Sequence, residues 1–217
     1  MTLVAEDGPG PRLLLIGAPI LVAVTIGVAP IIGRSLGSLS AVLALGAVYW
    51  SGCWFLALFA GKRGALVALY RESFNRRPLE QSMTWLPVVV TFFVGFLPSV
   101  SRLPLSALAA VFGVSLINGV TEELLWRGAF ASTFSTRLLL GYVYPVALFA
   151  AWHIALALVP GMHYEGGPLA LIGGSAVFGL LWGWTVWRTH DLRSATIAHV
   201  LTNTFAFSAL ALANWIG

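Results

Sequence analysis

Charge is what this sequence has least of. Only 9% of its 217 residues are Asp, Glu, Lys or Arg, while 59% are hydrophobic and the mean hydropathy is +0.89. A soluble domain carries about 25% charged residues, so a water-soluble enzyme or binding module is excluded and the solvent is lipid. Cysteine is almost absent as well. The sole one, Cys53, lies in the apolar stretch "YWSGCWFL", which excludes an intrachain disulfide framework and reads as a buried inert thiol. The sequence has no H-E-x-x-H zinc signature, no internal repeat and no low-complexity tract. The net charge of +4 comes from basic residues in short connecting loops, where membrane topology and anionic head groups account for it, and no nucleic-acid partner is expected.

What the sequence does contain is a series of uncharged apolar runs, at 13–33, 39–61, 83–100, 105–120, 144–159, 168–187 and 194–216, with His153 and His199 as the ionisable interruptions. At roughly 20 residues per span, these predict about seven transmembrane helices in an all-α polytopic bundle, a single transmembrane domain over 1–217. The tail at 1–12, "MTLVAEDGPGPR", has acids and one basic residue, and the run after it is too long for a signal-peptide core, so it reads as a retained helix. The loop at 62–82 carries Lys62, Arg63, Arg71, Arg76 and Arg77, which places it in the cytoplasm by the positive-inside rule. Alternation then puts ten of the twelve basic residues on that side, with the N-terminus inside and the C-terminus external. Within the loop, Leu66, Leu69, Tyr70 and Phe74 recur at helical spacing and predict a short interfacial helix. Ser175, Gly179 and Gly183 form a stripe of small residues suited to close helix packing.

Against this background the stretch "GVTEELLWRGAF" at 119–130 stands out. An ionisable side chain in a spanning helix costs a few kcal/mol or more unless it faces a partner or a wet cavity. Glu122, Glu123 and Arg127 on the fourth span, His153 on the fifth and His199 on the seventh, with Asn118 and Asn203 beside them, come from three separate helices. Counting from the helix ends, Glu122, His153 and His199 all lie roughly 9 to 12 Å below one edge, in a common layer. Glu123 and Arg127 are spaced to pair on one face, while Glu122 is rotated by about 100° from Glu123. His199 and Asn203 stand one turn apart as two hydrogen-bond donors. A free carboxylate opposite two donors suits a water attacking a carbonyl: the carboxylate takes the proton and the donors hold the oxyanion.

The same residues resemble a known family. Glu122, Glu123 and Arg127, followed by Gly128, match E-E-x-x-x-R; Phe149 and His153 match F-x-x-x-H; His199 and Asn203 match H-x-x-x-N. Three motifs in this order, in a core at 118–205, resemble the CPBP family of intramembrane proteases, to which CAAX-processing endopeptidases and bacterial bacteriocin-processing or self-immunity homologues belong. The resemblance implies a glutamate-dependent endopeptidase acting on a membrane-associated peptide or protein without cofactor or metal. Glu122 would activate water, His153 would assist, His199 and Asn203 would bind the oxyanion, and Glu123, Arg127 and Phe149 would support the site. It also implies residence in a lipid bilayer, here the bacterial cytoplasmic (inner) membrane. Three alternatives stand beside it. A zinc-dependent protease would use Glu122, His153 and His199 as ligands. A serine protease would need Ser175 and His199 to meet across roughly 10 Å of depth. A non-catalytic scaffold would serve a membrane protein complex as its partner.

Overall fold

A computed structural model describes residues 9–61, 63–71, 74 and 77–216, and among these there is no strand. Eight helices account for nearly all of it: α1 (Pro9–Leu36), α2 (Ser38–Ala60), α3 (Arg63–Arg71), α4 (Pro78–Arg102), α5 (Leu105–Thr133), α6 (Leu139–Ala157), α7 (Gly167–Thr189) and α8 (Leu192–Ile216). All but α3 are long and apolar enough to cross a membrane, seven spans in total. The protein is an all-α transmembrane bundle, as lipid demands of a chain whose backbone must satisfy its own hydrogen bonds.

The breaks fall where local chemistry places them. Gly37 (φ 75) separates α1 from α2, and Gly166 (φ 75) precedes α7 in the left-handed region that glycine enters freely. At the other end of α7, His190 adopts φ 57 and donates its N–H to the Val186 carbonyl at 2.8 Å. Asp191 then caps α8, accepting from the Ser194 N–H at 2.9 Å. Two boundaries differ from the sequence reading. The tail read at 1–12 is already helical from Pro9, and the loop read at 62–82 holds α3 and ends at Pro78, a favoured first-turn residue that opens α4. Residues 1–8 of that tail, and Lys62 and Arg76 of that loop, lie outside the described residues.

Large apolar side chains on every span stay exposed, among them Ile16, Phe59, Phe93, Leu116, Leu139, Leu169 and Ile197. That is the surface of a lipid-solvated protein, in which van der Waals fit and small residues draw helices together. The most buried span is α8. It packs on α5 at Gly119, where an added Cβ would lie 2.8 Å from the Val200 side chain and 3.0 Å from its backbone nitrogen. On α7 the small-residue stripe performs the same service: Gly179 leaves room for Phe149 and Gly183 for Tyr142. Helix α3 lies against this core through buried Leu66 and Leu69, and its Tyr70 hydroxyl reaches Thr196 Oγ1 on α8 at 3.2 Å. Burial there pushes the Tyr70 phenol above its ordinary range.

Candidate active site

The site forms where α5 changes its winding. From Glu123 to Ala129 the helix runs as a π-helix, a form frequent at functional sites, and shorter π-helical turns also occur at Phe92–Phe96, Leu139–Val143 and Leu212–Ile216. Every residue of this segment is buried, and so is Glu122 immediately before it. The two glutamates are 0% exposed, which in an apolar bundle requires that each be paired.

Both are paired to the same imidazole. His199 on α8 places Nδ1 2.8 Å from Glu123 Oε1 and Nε2 3.4 Å from Glu122 Oε2. Glu123 Oε1 also meets Arg127 Nη1 at 2.9 Å. The guanidinium nitrogens make no hydrogen bond among the described residues, so charge and stacking hold this group. The Arg127 carbon lies 4.3 Å above the Phe149 ring and 5.7 Å from that of Trp182, contacts in which a cation is attracted to the ring face. Trp182 also stacks on His199, with centroids 4.4 Å apart and planes 25° from parallel. Its indole donates to the Thr84 carbonyl at 3.0 Å, which anchors the stack on α4.

Glu122 is not the free carboxylate that helical rotation predicted. Its Oε1 accepts from the Tyr49 hydroxyl at 2.8 Å, and its Oε2 accepts from the Asn118 amide one turn earlier. The rotation does send the two acids different ways, but His199 sits between them and joins both.

His153 on α6 reaches the cluster through an aromatic neighbour. Its ring meets Phe149 edge-on at 4.9 Å, and Phe149 in turn meets His199 edge-on at 5.9 Å. Its Nδ1 lies 2.8 Å from the Phe149 carbonyl. A carbonyl only accepts, so Nδ1 carries the proton and Nε2 of the neutral ring presents a lone pair. Asn203, one turn along α8 from His199, is 8% exposed, and its Nδ2 has no hydrogen-bond partner among the described residues. A buried donor left unmade is costly unless something else fills it.

The structure therefore brings Glu122, Glu123, Arg127, Phe149, His153 and His199 into one contact network, with Asn203 adjacent on α8. Sequence reasoning missed Tyr49, Trp126, Trp152 and Trp182. Tyr49 stacks flat on Trp152, with centroids 3.7 Å apart and planes 7° from parallel, and accepts from Trp126 Nε1 at 2.7 Å. An aromatic in an apolar helix carries no sign of which end is at work. Ser175 returns its hydroxyl to the Ile172 carbonyl at 2.8 Å, a local bond typical of a packing serine. Among the described residues no three His, Cys, Asp or Glu side chains are grouped to hold a metal ion.

These features define an integral membrane protein with a buried carboxylate and imidazole centre shared by three spans. Residues 104–205 match the family model Rce1-like, described as type II CAAX prenyl endopeptidase Rce1-like, a match that supports membership in the CPBP/CAAX protease family. The matched stretch contains every residue of the three motifs. No curated protein and no solved structure matches the chain.

Proposed function

We propose that the protein is an intramembrane endopeptidase that hydrolyses a peptide bond of a membrane-associated peptide or protein with a water activated by Glu122. The observation that carries this reading is the division of labour between the two buried acids. Glu123 is committed to Arg127 and to His199 Nδ1. Glu122 is bonded by the neutral donors Tyr49 and Asn118 and keeps acceptor positions for a water, whereas Glu123, although its Oε2 is also unpartnered among the described residues, has its charge answered by the Arg127 cation.

In this reading Glu122 takes a proton from water as the oxygen attacks the scissile carbonyl, with His153 Nε2 accepting a hydrogen bond from the same water. His199 faces a carboxylate at each ring nitrogen and in this reading carries both ring protons, so the developing oxyanion accepts from Asn203 Nδ2 and from His199 Nε2–H, whose 3.4 Å contact with Glu122 is the loosest in the cluster and the one substrate displaces. Glu122 then returns the proton to the departing amide nitrogen as the C–N bond breaks. Glu123 and Arg127 hold the His199 ring in place throughout. Prepositioned donors of this kind typically supply about 10²- to 10³-fold each.

The test is hydrolysis by purified protein in lipid vesicles of membrane-anchored peptides, prenylated and unprenylated, with products read by mass spectrometry before and after exhaustive chelation. Cleavage that survives chelation is expected. Activity that chelation abolishes and zinc restores would instead make His153 and His199 metal ligands. No cleavage of any peptide, together with a cellular phenotype that survives Glu122→Gln, would replace the enzyme with a scaffold in a membrane protein complex.

A further inference from the structure

Two hydrogen-bond chains end on Glu122, and both begin at an indole. On one side Trp126 Nε1 donates to the Tyr49 hydroxyl at 2.7 Å, and Tyr49 lies 2.8 Å from Glu122 Oε1. On the other, Trp50 Nε1 donates to Asn118 Oδ1 at 2.7 Å, and the Asn118 amide meets Glu122 Oε2. An indole N–H only donates. Tyr49 has one hydroxyl proton, so once its oxygen accepts from Trp126 that proton is turned toward Glu122. Asn118 is fixed likewise: with its oxygen accepting from Trp50, its NH₂ faces the carboxylate. Neither chain can be reversed by rotating a hydroxyl or flipping an amide, because the reversed chain would set donor against donor at the indole.

We infer that Tyr49 and Asn118 are positioning residues whose polarity, imposed by Trp126 and Trp50, presents both oxygens of Glu122 as acceptors and so fixes this residue as the proton acceptor of the site. The inference rests on the reading of Glu122 as the base. It explains why α2, which contributes no member of the three motifs, crosses beside α5 with Tyr49 and Trp50 hydrogen-bonded toward the site. It also separates the two acids by wiring: no comparable donor chain reaches Glu123 Oε2, which is buried without a partner among the described residues.

The ring of Tyr49 stacks on Trp152 and fills a site with no exposure, so Tyr49→Phe keeps the packing and deletes the hydroxyl, both the donor to Glu122 and the acceptor of Trp126 Nε1. Asn118 is half-buried, and Asn118→Leu removes the second donor where the structure tolerates substitution. The expected result for each is a kcat lowered about 10- to 100-fold, the scale of a hydrogen bond to a charged group, with KM unchanged within about twofold. An activity-free measurement accompanies it. The carboxylate stretching band of Glu122, assigned by infrared difference between the wild-type protein and Glu122→Gln, is expected to move in both variants. Folded variants with wild-type kcat and an unmoved band overturn the inference. Should Tyr49→Phe not fold, Asn118→Leu decides by the same two readouts. A band that moves in a protein showing no hydrolysis would keep the wiring and remove the base role of Glu122, which distinguishes the two failures.

Discussion

At the scale of single residues, the chemistry turns on charges that lipid would reject. Arg127 is 2% exposed and answers Glu123, while Phe149 and Trp182 screen it on either side. Removing one member of a buried pair leaves the other uncompensated, which costs about 3–5 kcal/mol. Arg127→Ala is therefore expected to lower both folded yield and thermal stability in detergent; a variant with wild-type melting would show that the pair contributes nothing. Asn203 is the opposite case, a buried donor spending nothing on the resting fold. Asn203→Ala is expected to melt like the wild-type protein and to lose about 10²- to 10³-fold in kcat, measured by initial rates at saturating substrate. The motif residues were legible because each is an ionisable or amide group in an apolar run. Tyr49 and Trp182 were not, because lipid-facing and site-facing aromatics look alike until the neighbouring helix is known. The shared contact of Glu122 and Glu123 with His199 was hidden for a related reason: rotation around one helix says nothing of a partner standing between two directions.

At the scale of helices, the site depends on how closely α5 and α8 approach. Gly119 sets that distance, since a Cβ there would meet the Val200 side chain at 2.8 Å and its backbone Cα at 3.1 Å, and backbone cannot step aside as a side chain can. Overpacking of this kind costs about 1–3 kcal/mol. Gly119→Ala is expected to lower the melting temperature and to reduce turnover by parting Glu123 from His199. Gly113→Ala, six residues earlier on the same helix with nothing within 4 Å of an added Cβ, is expected to leave both unchanged or to raise stability slightly, as glycine-to-alanine changes within helices do. Equal melting of the two variants would contradict this packing. The spans themselves were readable from composition, because a bilayer accepts little but long apolar helices. The π-helical turn over Glu123–Ala129 was not, since a change from one hydrogen-bond register to the next leaves no mark in residue type.

At the scale of the whole molecule, one end of the bundle gathers α3, the start of α8 and the polar layer. The other end is closed by contacts such as Asn214 Nδ2 to the His163 carbonyl at 2.9 Å and Trp215 Nε1 to Ser38 Oγ at 3.2 Å. The stretch "GMHYEGGP" leading into α7 has no Lys or Arg, while the segment between α5 and α6 carries Arg137. The distribution of basic residues predicts that a reporter inserted beside Arg137 reads cytoplasmic and one beside Gly161 reads external. Both reporters on one side would invalidate the seven-span order.

The central claim is that Glu122, held as a proton acceptor, activates the hydrolytic water. It is tested most directly by the turnover of Glu122→Gln, nearly isosteric and still able to hydrogen-bond with Tyr49. The account predicts a protein that still folds, with a lowered melting temperature because one carboxamide N–H then faces a fixed donor of the two chains, and that hydrolyses its membrane-anchored peptide about 10²- to 10⁴-fold more slowly, the range a positioned general base supplies. A folded Glu122→Gln protein with wild-type kcat would contradict it.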